Sequence, residues 1–184
     1  TMKRLVVTAP GKDVASCTIE IEEVPVPKPG SGEVLIKVAA AAINPSDYMA
    51  WYGCKQEECP FGMGTEGSGV VCKTGEGLAT SLSTFTCKVG TKVGFIGLKN
   101  KQGAYTEYVV ASAMESVFAM PDDLPVEDAA SFFVNPYTAI GILDTAKAPG
   151  AISMIHTAPA SRLGQIIAKL APTQGQEVIH LVTR

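Results

Sequence analysis

The 184-residue chain has no long apolar run, no run of basic residues and few of the residues that build metal centres or disulfide frameworks. Its longest apolar stretches are broken by Pro, Gly or a charge well short of the roughly 18 residues a membrane helix needs, so no spanning segment is expected. The start, Met2-Lys3-Arg4-Leu5-Val6-Val7, runs straight into Thr8-Ala9-Pro10-Gly11-Lys12, too little apolar sequence for a signal-peptide core. With 15 Lys+Arg against 18 Asp+Glu and a net charge of -3, phosphate-backbone binding is not the main task, and neither nucleic acid nor a membrane is an expected partner. Five cysteines, an odd number, stand scattered at positions 17, 54, 59, 72 and 87. A secreted disulfide scaffold would be shorter and denser in Cys, and a zinc ribbon would pair Cys-x-x-Cys units; neither pattern is present. Cys54 and Cys59 come nearest, and only His156 and His180 add imidazoles. No metal site is therefore expected. Free reduced thiols point to a soluble protein of the cytoplasm, with a mitochondrial location left open.

A hydrophobic fraction of 46% is enough to bury a core, and the length suits one or two small domains. Residues 1–120 read as β-rich. Short β-prone runs occur at Leu5-Val6-Val7, Cys17-Thr18-Ile19-Glu20-Ile21, Val34-Leu35-Ile36-Lys37-Val38, Gly69-Val70-Val71-Cys72, Lys92-Val93-Gly94-Phe95-Ile96 and from Ala104 to Val110. Turn signals such as Pro25-Val26-Pro27-Lys28-Pro29-Gly30 separate them, a spacing that predicts a small barrel or sandwich. Residues 121–149 then read as a helical connection: acids and a Pro precede Ala129-Ala130-Ser131-Phe132-Phe133, and a second helical stretch runs from Pro136 to Asp144. Residues 150–184 give an apolar strand at 151–156, a small-residue turn, a helix at 165–170 and a strand at 176–182, the order of a parallel βαβ unit.

Four segments in this order carry a family resemblance. They are Pro29-Gly30-Ser31-Gly32-Glu33-Val34-Leu35-Ile36-Lys37-Val38, Ala42-Ile43-Asn44-Pro45-Ser46-Asp47, Gly64-Thr65-Glu66-Gly67-Ser68-Gly69-Val70-Val71, and the strand–turn–helix at 151–170. Together they resemble the medium-chain dehydrogenase/reductase superfamily. The resemblance implies a GroES-like β-barrel domain followed by a Rossmann dinucleotide-binding domain, here an incomplete βαβ unit. Zinc-dependent alcohol dehydrogenases of that superfamily place a Cys where this chain has Asn44 and a His where it has Thr65. Without that thiolate and imidazole the ligand set for a catalytic zinc is missing. The remaining Asn-Pro-x-Asp and Gly-x-Glu-Gly strings are similar to the zinc-independent quinone oxidoreductases and the 2-enoyl thioester reductases.

The resemblance makes Asn44 a polar group of the reaction site, although an Asx-type turn residue before Pro45 is the alternative. Asp47 and Glu66 read as structural carboxylates. The enoyl reductases use a Tyr as proton donor just after this segment. Tyr52 lies close to that place but does not match it, since the family residue falls where Lys55 stands, and a packed aromatic is the competing reading. For the dinucleotide the expected contacts are Thr138, then Thr157, Ala158, Ala160, Ser161, Arg162 and Gly164 of the turn, and Arg184 at the end of the last strand. Only Gly164 survives of the usual Gly-x-Gly-x-x-Gly, Arg162 takes a glycine's place, and Ser161 with the helix N-terminus still offers donors to a phosphate. Arg184, where NAD enzymes put an acid, favours the 2'-phosphate of NADPH; a frayed terminal cation is the other reading.

Two strands of a sheet that has six in the family make the chain about half of a full enzyme, either a fragment or a truncated member without catalysis. The expected function is a zinc-independent, NADPH-dependent reductase of quinones or activated carbon–carbon double bonds acting on a small-molecule substrate. The alternative is a non-catalytic binding or interaction module. Dimers are common in the resembling family, so a homodimer is allowed.

Overall fold

In the computed structural model, residues 1–76, 87–97, 102–147 and 153–182 are described. They divide into two compact units, Thr1–Phe132 and Phe133–Arg184.

The first unit is built from antiparallel strands. β1 (Met2–Ala9) pairs with β2 (Thr18–Val24) and, at its centre, with a short strand β4 (Phe61–Gly62). The second sheet has the order β7-β3-β5-β6-β8, from β3 (Glu33–Ala41), β5 (Glu66–Thr74), β6 (Lys92–Ile96), β7 (Tyr108–Ser112) and β8 (Val117–Ala119). Val34, Ile36, Val71, Val93, Phe95 and Val109 pack inward from five-stranded-sheet positions, and all are 0% exposed. Each such side chain contributes about 1.5–3 kcal/mol by leaving water. A smaller cluster of Val7, Trp51 and Met63 fills the space under β1. Between β3 and β4 lies helix α1 (Pro45–Gly53). This is the half-barrel of a GroES-like domain, with strand spacing as the sequence implied.

In the second unit, β9 (Met154–His156) and β10 (Val178–His180) are parallel neighbours, with Met154 opposite Val178 and His156 opposite His180. The crossover helix α3 (Arg162–Leu170) sets Leu163, Ile166, Ile167 and Leu170 on one face at helical spacing. That face packs on Ala139 and Leu143 of α2 (Val134–Ala146). The unit is therefore an incomplete Rossmann βαβ.

Several elements differ from the sequence reading. The run from Ala104 is not one strand. Leu5 N–H donates to Tyr105 O at 2.9 Å and Glu107 N–H to Lys3 O at 3.0 Å, so this stretch follows the edge of β1 before β7 begins at Tyr108. The stretch from Ala129 forms only a 3-10 turn, Asp128–Ser131, in the first unit, whereas α2 belongs to the second. Residues 151 and 152 and Arg184 lie outside the described residues. No helix among the described residues is long and apolar enough to cross a membrane.

Candidate active site

The site grows from the start of α1. Asn44 is extended at the N-cap, Pro45 has no amide hydrogen to lose at the first helical position, and Asp47 reaches back so that its Oδ2 accepts Asn44 N–H at 2.7 Å. The helix thus begins on a buried carboxylate, and Asp47 is only 3% exposed. Two more donors converge on it. Thr65 Oγ1 donates to Asp47 Oδ1, and the Tyr105 hydroxyl donates to Asp47 Oδ2 at 3.2 Å and to Ala42 O at 3.0 Å. One position further along β5, Glu66 is 0% exposed and its Oε1 accepts Asn44 Nδ2 at 3.0 Å. Asn44, Asp47, Thr65, Glu66 and Tyr105 therefore form one buried polar network that ties α1 to β5.

Backbone geometry makes room for it. Gly64 has φ of 92°, and a Cβ there would sit 2.6 Å from Tyr105 Cδ1. Only a glycine both tolerates this conformation and lets the Tyr105 ring pass toward Asp47. Burial pushes the Tyr105 phenol well above its ordinary range, with the Asp47 charge, its hydrogen bond and the Glu66 charge acting the same way. The phenol is thus a neutral donor at physiological pH.

Asp47 and Thr65 also face a cavity of about 890 Å³ in the first unit, walled further by Ser46, Met49, Trp51, Cys54 and Phe61. It is mostly apolar with a few convergent polar groups, the character of a small-molecule site. Asn44 is 2% exposed and does not line this cavity; its amide acts through Glu66. Tyr52 lies in the last turn of α1, half-buried, and is not a wall residue either. Among the described residues no group of three or more His, Cys, Asp or Glu side chains could hold a metal ion. The donors gathered here are an amide, a hydroxyl, a phenol and carboxylates, without the thiolate or imidazole that catalytic zinc sites combine with a carboxylate.

In the second unit Thr157, Ala158, Ala160, Ser161 and Arg162 are exposed on the turn that leads into α3. Ser161 caps the helix: its Oγ accepts Gly164 N–H at 3.0 Å and donates to Ala158 O at 2.8 Å. The serine hydroxyl is thereby engaged within the turn, and the donors it leaves at the helix start are the first-turn amides of Arg162 and Leu163. A Cβ at Gly164 would run into Ala158 O and Pro159, so this glycine serves close packing of helix against turn, the third glycine role of the dinucleotide fingerprint. The turn thus exposes small residues and the first-turn amides of α3. Thr138 stands apart from the turn on α2, exposed, with its hydroxyl donating to Val134 O at 2.6 Å.

Sequence reasoning missed Tyr105 as a site residue and α1 as a helix. For α1 the signal was present in Asn44-Pro45-Ser46-Asp47, an N-cap, a Pro at the first helical position and an acid at the third. For Tyr105 no local signal exists, because it meets Asp47 across 58 residues of sequence.

The alcohol dehydrogenase GroES-like domain family matches residues 30–122. The chain is 32% identical over 166 residues to a zinc-type alcohol dehydrogenase-like protein of Schizosaccharomyces pombe, covering 88% of this chain and 48% of that protein. It is 30% identical over 168 residues to the mitochondrial enoyl-[acyl-carrier-protein] reductase of Xenopus tropicalis, with 89% and 45% covered. Among solved structures, a Mesorhizobium loti protein assigned as an NADPH:quinone reductase superposes with a TM-score of 0.78 at 33% identity, over 100% of this chain and 55% of the other. The chain thus spans about half the length of the relatives it matches. With a GroES-like half-barrel, an incomplete Rossmann unit and these relatives, the chain belongs to the medium-chain dehydrogenase/reductase superfamily.

Proposed function

We propose that the protein carrying this chain is a zinc-independent, NADPH-dependent reductase of quinones or of activated carbon–carbon double bonds, enones and 2-enoyl thioesters among them. The observation that carries this reading is the buried network of Asn44, Asp47, Thr65, Glu66 and Tyr105 beside the apolar cavity, which occupies the ligand-bearing segments of zinc-type relatives with donors unsuited to zinc. The nicotinamide supplies the hydride, and the protein's part is to bind, orient and exclude water. The apolar wall takes the body of a flat, electron-poor substrate. Thr65, Asp47, Ser46, Glu57 and Glu58 are the polar and charged residues of the cavity wall.

Asn44 is the positioning residue: its amide holds Glu66 while its backbone N–H holds Asp47, so both carboxylates keep one orientation. Reduction of an enone needs a proton at the α carbon as well as a hydride at the β carbon. Tyr52, between the wall residues Trp51 and Gly53 though not itself in the wall, is the candidate proton source. The amides of Arg162 and Leu163 and the Arg162 side chain would hold the pyrophosphate beside Ala158, Ala160 and Ser161, with Thr157 and Gly164 shaping the turn, and Thr138 on α2 a further candidate contact. Arg184 would face the 2'-phosphate and so favour NADPH over NADH. The reading takes the cytoplasm as location, a mitochondrion as the alternative, and a homodimer as assembly.

The test uses the protein at the length of its relatives. NADPH should be consumed with quinones or 2-enoyl thioesters at a rate unchanged by zinc chelators, and NADH should bind more weakly. Tyr52→Phe should lower kcat by about 10²–10⁴-fold with KM kept. About one zinc per chain, with activity lost on its removal, would overturn the reading; an unchanged kcat in Tyr52→Phe would reassign the proton to solvent.

A further inference from the structure

Beyond that reading, a pair of thiols stands at the cavity: Cys54 in its wall, and Cys59 between the wall residues Glu58 and Pro60. α1 ends at Cys54, whose N–H donates to Ala50 O at 3.0 Å, and the chain then folds through a 3-10 turn, Gln56–Glu58. Glu58 closes the turn on itself. Its Oε2 accepts Lys55 N–H at 2.7 Å, its own N–H donates to Lys55 O at 3.0 Å, and Cys59 N–H donates to Gln56 O at 3.2 Å. This turn returns the chain so that Cys54 Sγ and Cys59 Sγ lie 3.9 Å apart. Both are half-buried against Val7, Trp51 and Met63. A disulfide needs about 2.05 Å between sulfurs, so closing it requires the two side chains to turn toward each other.

We propose that Cys54 and Cys59 form an oxidisable dithiol that a hydroperoxide closes into an intramolecular disulfide. The Cys59 thiolate attacks one peroxide oxygen, the O–O bond breaks, and the departing alkoxide takes a proton and leaves as an alcohol. The resulting sulfenic acid of Cys59 is attacked by Cys54 sulfur; the S–O bond breaks and hydroxide leaves with the Cys54 proton as water. Two thiols thus lose two electrons and two protons, and one hydroperoxide becomes one alcohol and one water.

The order of attack follows from the surroundings. Burial, then the hydrogen bond and charge of Cys59, and the nearby Glu58 carboxylate push the Cys54 thiol up to about 11, so it keeps its proton and acts second. Cys59 directly follows the exposed Gln56–Glu58 turn and acts first. Cys54, Glu57, Glu58 and Pro60 all line the cavity, so the disulfide would tie the end of α1 to the approach of β4 in the cavity wall. Of the remaining cysteines, Cys87 is buried in the sheet core, Cys72 lies exposed on β5, and Cys17, half-buried in the same cluster as the pair, donates its thiol to Asp13 O at 3.3 Å.

The experiment needs no enzymatic activity. The fully reduced chain is treated with a small excess of tert-butyl hydroperoxide, its free thiols are alkylated, and tryptic peptides are examined by mass spectrometry with and without reductant. The expected result is a reducible link between the peptides that part at Lys55, localised to Cys54 and Cys59 and lighter by two hydrogens, with Cys17, Cys72 and Cys87 still alkylated. In Cys54→Ser a sulfenic-acid probe such as dimedone should label Cys59 several-fold more than it labels Cys54 in Cys59→Ser. Separate alkylation of Cys54 and Cys59 in the wild-type chain at every dose, or a link to another cysteine first, would overturn the proposal whether or not either variant folds. Equal dimedone labelling in the two variants would overturn the order of attack.

Discussion

Asp47 is the residue on which the site turns, because one small carboxylate accepts from a backbone amide, a hydroxyl and a phenol. Buried polar groups are stable only when paired, so the energetic weight of each member shows when its partner is removed. Glu66→Ala should cost about 1–3 kcal/mol by leaving the Asn44 amide without this acceptor, visible as a lowered midpoint of thermal unfolding. Tyr105→Phe should cost about 0.5–1.5 kcal/mol at neutral pH. It should also change the alkaline limb. The folded phenol ionises at higher pH than the unfolded one, so its contribution is complete below about pH 10 and is lost as pH rises beyond it. Cys54 behaves alike: its thiol is raised from 9.0 to about 11, so its contribution is present below about pH 9 and fades toward pH 11. Denaturant titrations from pH 8 to pH 11 should therefore fall less steeply in Tyr105→Phe and in Cys54→Ser than in the wild-type chain; parallel profiles would reject the assignment.

At the scale of elements, caps and glycines decide where helices and loops can run. The loop from β4 into β5 holds Gly64 at positive φ with the Tyr105 ring directly behind it. Gly64→Ala adds backbone strain of about 1–3 kcal/mol and a clash with that ring, so it should destabilise the chain more than Tyr105→Phe does. A smaller loss in calorimetry would mean that the ring can move aside. Helix α3 depends on Ser161, which both caps Gly164 and closes the turn on Ala158. Ser161→Ala should cost about 0.5–2 kcal/mol, whereas Ser161→Asp, which keeps an acceptor at the cap, should retain most of the stability.

At the scale of the whole molecule, the described residues pack two hydrophobic clusters in the first unit and one in the second. The second unit shows water a row of apolar side chains: Ile155 at 64% exposure, Leu181 at 51% and Val182 at 73%, with Ile179 beside them. Neighbouring apolar groups on a short parallel pair favour association with another surface. In sedimentation velocity the chain should show a larger average mass as concentration rises, and Ile155→Lys with Leu181→Lys should suppress it. A monomer at every concentration would show that this surface is not adhesive.

How much of this was legible beforehand differs by residue. The β-prone run Val34-Leu35-Ile36 announced a strand, and the small-residue turn ending at Gly164 announced a βαβ unit. Both signals are local: a run of β-prone residues, and a helix start after a turn. Asn44, Asp47, Thr65 and Glu66 were also visible as strings, but whether Asn44 faces a substrate or a carboxylate was not. That depended on β3 and β5 pairing in register, which brings residues 22 positions apart within hydrogen-bonding distance. The burial of Tyr105 beside Asp47, 58 residues away, followed the same rule, whereas Cys54 and Cys59 are brought together by the local turn between them. The sequence by itself determined the order of most elements and the donor types at the site, because these rest on neighbours along the chain. Tertiary structure alone decided which donor meets which acceptor, because long-range packing sets those distances and burial sets their strength.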